Sequence, residues 1–140
     1  MTTIVCNRTS MAADKRVTGG PMFKTTKIFR INGSLIGFCG SLEASLQFVE
    51  WRRTPDTKPE FGENSSFEAL ELSADGRLTY WASQLVAMAI EDDFYAIGSG
   101  ASLALGAMAM GASPKRAISV AALYDSGTGS DVQTLTLAGK

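Results

Sequence analysis

Short runs of β-branched and apolar residues, separated by turn residues, predict strands in the first part of the chain. The predicted strands cover residues 3–7, 11–14, 27–31 and 35–39. Asn32-Gly33 is a strong hairpin dipeptide and joins the last two of these strands. Gly19-Gly20-Pro21 predicts an earlier turn. The run 35–39 is apolar throughout, so we expect it to be buried.

A helix is predicted to follow, because Ser41 is a good N-cap. Leu42, Ser45, Leu46 and Val49 recur at helical spacing, which predicts that they form the buried face. Residues 54–66 hold two prolines and several charges. This composition predicts a loop.

The second half of the chain alternates and then becomes helical. Residues 68–73 and 77–81 predict a hairpin, followed by strands at 85–90 and 94–97. Residues 101–110 are small or apolar on all sides, which predicts a helix that is buried or lies in a subunit contact. Ser113-Pro114 predicts the start of another helix, to about Leu123, and 132–137 a last strand. This order predicts two packed antiparallel sheets with helices outside.

Composition narrows the functional classes. The 140 residues are 45% hydrophobic and 19% charged, so we expect one globular domain over 1–140. The net charge of −1 argues against nucleic acid or an anionic membrane as the main partner. We find no transmembrane segment or secretory signal pattern. Cys6 and Cys39 do not form a disulfide framework, which favours the cytoplasm.

The chain contains no histidine, which excludes Ser-His, Cys-His and His-metal mechanisms; we expect no metal centre. A hydrolytic base would therefore be a lysine, a carboxylate or an amine. Thr2 follows the initiator Met, and removal of Met1 would expose a threonine that carries a hydroxyl nucleophile and an α-amine base in one residue. Met-Thr-Thr is also a common start for proteins of any kind, so this pattern alone leaves the function open.

Several segments in order resemble the family of proteasome β-type subunits and HslV. The start Thr2-Thr3-Ile4-Val5 is similar to the mature start of these peptidases. Asp14 stands where the family has an aspartate after its second strand, and Lys27 is similar to its active-site lysine. The segment Gly37-Phe38-Cys39-Gly40-Ser41 resembles the family's G-x-x-G turn. The resemblance implies that Gly40 donates an oxyanion N–H group and that Phe38 lines the primary specificity pocket.

Two later segments extend the resemblance. Ala96-Ile97-Gly98-Ser99-Gly100 is similar to a family stretch whose serine, here Ser99, belongs to the active site. Tyr124-Asp125-Ser126-Gly127-Thr128-Gly129 resembles the segment whose aspartate and hydroxyl residue, here Asp125 and Thr128, support the N-terminal amine. The family has a basic residue where this chain has Tyr124. The chain is also shorter than its relatives at 54–66, so the family's second helix is expected to be stunted or absent.

The resemblance implies a four-layer α-β-β-α sandwich of the N-terminal-nucleophile hydrolase type. The implied function is a threonine-type endopeptidase in a ring or double-ring homo-oligomer that cleaves unfolded polypeptides, with an ATP-dependent unfoldase as a further implied partner. It implies no organic cofactor; a monovalent cation held by main-chain carbonyls of the Asp125–Thr128 loop is one further implication.

Other interpretations stay open from the residues. Lys27 at a strand start is more often a solvated charge, and Asp14 before Lys15-Arg16 is compatible with a surface ion pair of little energetic weight. Two rival functions also fit: a catalytically silent assembly subunit of the same family, and an amidohydrolase acting on small molecules.

Overall fold

The computed structural model describes residues 2–17, 21–61 and 66–137. The predicted turn at Gly19-Gly20 lies outside these residues. The strands are β1 (Thr3–Asn7), β2 (Ser10–Asp14), β3 (Arg16–Val17), β4 (Phe23–Lys24), β5 (Ile28–Ile31), β6 (Ser34–Gly40), β7 (Phe67–Leu72), β8 (Leu78–Ala82), β9 (Met88–Ala89), β10 (Phe94–Gly98) and β11 (Val132–Thr136). The helices are α1 (Leu42–Arg53), α2 (Ala101–Ala109) and α3 (Pro114–Tyr124).

Two antiparallel sheets form the centre of the molecule. One has the strand order β10-β1-β2-β11, and the other has the order β5-β6-β7-β8-β9, while β3 and β4 pair separately. Helix α1 packs on the five-stranded sheet, and helices α2 and α3 pack on the four-stranded sheet. The predicted four-layer α-β-β-α sandwich is therefore confirmed.

Among the described residues, three clusters of buried side chains hold the layers together. The cluster between the sheets includes Ile4, Met11 and Leu70. The cluster under α1 is aromatic and includes Phe48, and the cluster under α2 and α3 is built from smaller side chains such as Ala117. Along β1, Ile4 and Cys6 face the other sheet and Val5 faces the helices, as strand alternation requires.

The hairpin between β5 and β6 is where the sequence predicted it. Asn32 and Gly33 both have positive φ, at +50° and +84°. A type I′ turn needs positive φ at both central positions, which asparagine and glycine tolerate best. The turn pairs Ile31 with Ser34 and sets the register of β5 against β6.

Helix α1 begins as predicted, but only part of the predicted face is buried. The Ala44 N–H donates to the Ser41 hydroxyl at 3.2 Å, which confirms the N-cap. The predicted Ser45 and Val49 are buried, together with Ala44 and Phe48. Leu42 and Leu46, in contrast, are 61% and 53% exposed. The prediction for these two leucines was wrong because the Phe48 ring packs against Phe67 and Trp81 on the sheet; a large aromatic side chain sets the rotation of the helix.

Other differences concern the length of elements. The predicted strand 85–90 is reduced to Met88–Ala89, because the chain turns at Leu85, where φ is +56°.

Helix α2 buries only Ala104 and Met108 within this chain. Residues 54–61 contain no helix. No helix among the described residues has the length and apolar character needed to span a membrane.

Candidate active site

A buried ion pair lies at the end of β2. The Lys27 ammonium donates to Asp14 Oδ1 at 3.0 Å, and both side chains are almost completely buried. The Thr3 N–H also donates to Oδ1, at 3.0 Å. The N–H groups of Gly129 and Arg16 donate to Oδ2 at 2.9 and 3.2 Å. Four donors therefore fix this carboxylate, so the interpretation of Asp14 as a surface residue is wrong.

Lys27 is not a solvated charge either. Its side chain is 3% exposed, and its ammonium also donates to the Arg16 carbonyl. Burial lowers the pKa of Lys27 below its ordinary value, and the negative charge of Asp14 opposes this shift. Since a carboxylate and a carbonyl oxygen accept from the ammonium, its position in the interior is fixed, and the Asp14 carboxylate balances its charge.

A second cluster surrounds Asp125. The hydroxyl groups of Ser99 and Thr128 donate to Asp125 Oδ2 at 2.6 and 2.5 Å. These two hydrogen bonds, Ser99 first, hold the pKa of Asp125 below its usual value. Thr128 is buried, and Ser99 is exposed at the start of α2. The three residues predicted from two distant segments are thus in direct contact.

Thr2 and Thr3 lie where the two clusters meet. The Ser99 N–H donates to the Thr2 carbonyl at 2.8 Å. The Thr3 hydroxyl is 2.8 Å from the Thr128 hydroxyl and accepts from the Gly100 N–H at 3.0 Å. Thr2 is half-buried and immediately precedes β1. Strand alternation puts its side chain on the side of Ile4, toward the other sheet.

Gly98 allows the Thr2 carbonyl group to lie close to the backbone of β10. Its φ is +101°, and a Cβ built there would lie 1.7 Å from the Thr2 carbonyl oxygen. We expect Gly98→Ala to reduce the free energy of unfolding by about 2 kcal/mol or more, since the left-handed conformation alone costs about 1–2 kcal/mol. Urea unfolding monitored by circular dichroism measures the change.

Gly106→Ala is the matched control for this prediction. Gly106 lies within α2, and a Cβ built there meets nothing within 4 Å. Alanine should therefore stabilise the helix by about 0.5–1 kcal/mol. Equal effects of the two substitutions would contradict the close approach of Thr2 and Gly98.

Gly40 closes β6 near the ion pair. It is exposed and has a φ of +100°. The N–H group of Phe38, two residues before Gly40, donates to the Lys27 carbonyl, so the two segments are neighbours. A Cβ on Gly40 would lie 2.2 Å from the Ser66 carbonyl oxygen. The glycine is therefore required by the chain's own backbone, apart from any approach by a substrate.

Phe38 lies in a different layer from the polar clusters. Its N–H donates to the Lys27 carbonyl at 3.4 Å, but its ring is 6% exposed and belongs to the cluster under α1. The ring stacks on Phe29, with centroids 5.7 Å apart. A role of Phe38 in a specificity pocket stays a prediction.

Cys39 lies on the inner side of β6. Its thiol donates to Glu68 Oε1 at 3.7 Å, and Glu68 Oε2 accepts from the Tyr80 hydroxyl at 2.6 Å. Burial, followed by the charge of Glu68, raises the pKa of Cys39 to about 12. A thiol with this pKa is protonated at neutral pH and is a poor nucleophile.

We expect Cys39 and Cys6 to resist iodoacetamide in the native protein at pH 8. Burial raises both thiol pKa values, to about 12 for Cys39 and beyond that for Cys6. Intact mass should show no adduct in buffer and two adducts in denaturant. Because unfolded thiols ionise at lower pH, stability should also fall between pH 9 and 12. Rapid alkylation of the folded chain would contradict the burial of Cys39.

Two main-chain carbonyl groups of the loop 125–129 accept hydrogen bonds from the protein itself. The Ser126 carbonyl accepts from Arg16 Nη1 at 3.0 Å, and the Asp125 carbonyl accepts from the Thr128 N–H at 3.1 Å. A cation on these two oxygens would compete with a guanidinium group and an N–H group. A carbonyl oxygen has a second lone pair, and a monovalent cation at this loop stays a prediction.

Sequence reasoning missed three residues that hold the site together. Thr3 joins the two clusters, Arg16 supplies two backbone contacts to the Asp14–Lys27 pair, and Gly98 admits the Thr2 carbonyl. Only the repeated threonine and the Gly98-Ser99-Gly100 sequence gave a local signal. The backbone contacts of Arg16 reach Asp14 and Lys27 nearby in sequence, but its guanidinium group also donates to the Ser126 carbonyl, 110 residues away, which no local pattern predicts.

An open groove of about 430 Å³ borders the Asp14 cluster. The β3–β4 pair and residues 129–131 line it, including Arg16 and Gly129. Their N–H groups bind Asp14, so the groove begins where the buried polar cluster ends.

Comparison with known proteins identifies the fold. No protein-family model matches the sequence, and a search of curated proteins finds no significant match. HslV from Trypanosoma brucei is 19% identical with a TM-score of 0.77, covering 96% of this chain and 98% of its own. BPH from Thiobacillus denitrificans, solved in complex with epoxomicin, is 20% identical with a TM-score of 0.73, covering 97% of each chain.

Anbu from Hyphomicrobium sp. strain MC1, solved as a Gly-1 mutant, is 15% identical with a TM-score of 0.69 and covers 97% of this chain and 81% of its own. At these identities the likeness concerns the fold. The chain has the four-layer fold of the HslV and proteasome-like N-terminal-nucleophile hydrolases.

Proposed function

We propose that this protein is a threonine-type peptidase of the N-terminal-nucleophile class, acting in the cytoplasm. Removal of Met1 would make Thr2 the first residue, with its hydroxyl as nucleophile and its α-amine as base. The supporting observation is the convergence at the start of β1. A buried Asp14–Lys27 pair and the Asp125 cluster both bind Thr3, the neighbour of Thr2.

The proposed reaction begins with attack of Thr2 Oγ on a peptide carbonyl carbon. The hydroxyl proton moves to the α-amine, directly or through a water molecule. An ordinary α-amine has a pKa of roughly 7.7–8.0, so a substantial fraction is neutral near pH 7. The nearby Lys27 ammonium disfavours protonation of the amine, and Asp14 holds Lys27 in place.

The tetrahedral intermediate carries a negative oxygen that needs a hydrogen-bond donor. We assign this role to the Gly40 N–H; removing one such donor typically costs about 3–4 kcal/mol of transition-state stabilisation. The C–N bond then breaks, the leaving amine takes the proton, and an ester to Thr2 remains. Water then hydrolyses the ester. In this proposal the α-amine of Thr2 is supported by the cluster of Ser99, Asp125 and Thr128.

Self-assembly belongs to the same proposal. Helix α2 is apolar over its length but buries only Ala104 and Met108 within one chain. A ring or double ring would cover more of this surface, and the enclosed chamber would admit unfolded polypeptides. An ATP-dependent unfoldase is the partner that would supply them.

The test is the intact mass of the purified protein before and after incubation with a peptide epoxyketone, the inhibitor class of the epoxomicin in the BPH complex. Closing the adduct ring consumes both the threonine hydroxyl and a free α-amine. We expect a mass without Met1 and one inhibitor per chain, and no adduct on Thr2→Ala. Native mass spectrometry should show a closed ring.

Each other outcome contradicts a stated part of the proposal. A chain that retains Met1 and forms no adduct would be a silent assembly subunit. A processed chain without adduct, in a small open oligomer, would favour an amidohydrolase for small substrates. Adduct formation on Thr2→Ala would remove Thr2 from the mechanism.

A further inference from the structure

Thr3 is the residue through which the two polar clusters touch. Its backbone N–H donates to Asp14 Oδ1 at 3.0 Å. Its hydroxyl oxygen accepts from the Gly100 N–H at 3.0 Å and lies 2.8 Å from the Thr128 hydroxyl oxygen. Thr3 is fully buried and Thr128 is 2% exposed. Water is therefore excluded from the hydroxyl pair.

The hydrogen atoms in this chain of contacts have one consistent arrangement. An ionised Asp125 can only accept, so the Thr128 hydroxyl hydrogen points to it. The Thr128 hydroxyl can then only accept a hydrogen bond from Thr3. The Thr3 hydroxyl must therefore donate to Thr128 while it accepts from the Gly100 N–H.

The resulting chain is directional. It runs from the Gly100 N–H, at the N-terminal end of α2, through Thr3 and Thr128 to the Asp125 carboxylate. Each donor polarises the next, and because Thr3 and Thr128 are buried, this strengthens the set beyond its separate bonds. The packing is tight, since a Cβ on Gly100 would lie 2.5 Å from the Thr3 hydroxyl oxygen and 2.8 Å from that of Thr128.

We propose that Thr3 is a positioning residue of the site. Its hydroxyl orders the donor chain to Asp125 while its N–H binds Asp14, so one residue fixes both carboxylates relative to Thr2. Valine in its place keeps the shape of the side chain but cannot form either hydrogen bond of the hydroxyl group. The Gly100 N–H and the Thr128 hydroxyl then lose Thr3 as a partner. Its catalytic consequence rests on the proposed function, in which Thr2 is the nucleophile.

The test compares Thr3→Val with Thr3→Ser, which restores the hydroxyl. Exposed Thr134→Val on β11 is the matched control for a threonine-to-valine change in a strand. Peptide turnover is measured per active site, with sites counted by epoxyketone titration. We expect kcat per titrated site to fall about 10- to 100-fold in Thr3→Val, with KM within about threefold and most of the turnover recovered in Thr3→Ser.

A purely structural role gives a different result. It would lower the fraction of chains that react with the epoxyketone and leave kcat per reactive site unchanged. That result would overturn the proposal. If Thr3→Val does not fold, Thr3→Ala makes the same comparison, because it also removes the hydroxyl and leaves a small cavity in place of a buried methyl group.

A second measurement does not depend on activity. The carboxyl ¹³C titration of Asp125, assigned with Asp125→Asn, should shift to higher pH in Thr3→Val and remain near wild type in Thr3→Ser. The charges near this cluster belong to Asp14 on β2, Arg16 on β3 and the N-terminal amine, and none of them is changed in either variant. An unshifted titration in Thr3→Val would overturn the donor chain. Wild-type protein without adduct or turnover would overturn the proposed function alone, and the titration would still decide the role of Thr3.

Discussion

Thr2→Ala is expected to abolish peptide cleavage while leaving the fold intact. The substitution removes the only hydroxyl that the mechanism uses as nucleophile, and loss of such a group typically costs about 10⁴-fold or more in kcat. The backbone contact from the Ser99 N–H to the Thr2 carbonyl does not depend on the side chain. Turnover of a fluorogenic peptide and the urea midpoint, measured on the same preparation, test both parts.

Thr2→Ser is the matched variant, because it keeps a hydroxyl and an N-terminal amine. It should retain measurable cleavage and form the epoxyketone adduct. Cleavage by Thr2→Ala at the wild-type rate would show that another residue, or a contaminating peptidase, carries the activity.

Lys27→Ala is expected to destabilise the protein strongly and to stop cleavage. It leaves the Asp14 carboxylate buried without its counter-ion, and breaking a buried pair in this way costs about 3–5 kcal/mol. This is a large share of the roughly 5–15 kcal/mol that stabilises a typical domain. The urea midpoint should fall by a correspondingly large amount.

Two further variants separate charge from packing. Asp14→Asn combined with Lys27→Met removes both charges, so it should be more stable than Lys27→Ala although it remains inactive. Arg77→Ala disrupts the exposed Arg77–Asp75 pair, which is 80% and 59% exposed, and should change stability little. A Lys27→Ala variant with wild-type stability and cleavage within a few-fold of wild type would mean that Lys27 is neither buried in solution nor part of the site.

Much of the fold follows from local sequence signals. The hairpin at Asn32-Gly33, the N-caps at Ser41 and Ser113, and the order of strands and helices need only neighbouring residues, because turn and cap conformations are decided within a few positions. The pattern also predicted the two sheets and outer helices. It failed for two residues of α1, because Leu42 and Leu46 fit the helical period as well as Phe48 does but are exposed.

The sequence likewise predicted some features of the candidate site and not others. The sequence supplied the residue types at Thr2, Asp14, Lys27, Ser99 and Asp125, and the absence of histidine limited the chemistry to amines, lysine and carboxylates. It could not tell a buried Asp14–Lys27 pair from two surface charges, since burial depends on what packs over them.

The sequence by itself determined the order of elements, their turns and caps, and a chemical repertoire without histidine. Only the tertiary structure decided that Thr3 meets Thr128 across most of the length of the chain, and that the Thr2 carbonyl fits over Gly98. The physical reason is that turns and caps are stabilised by contacts between near neighbours, whereas burial, ion pairing and the direction of a hydrogen-bond chain arise when distant segments exclude water together.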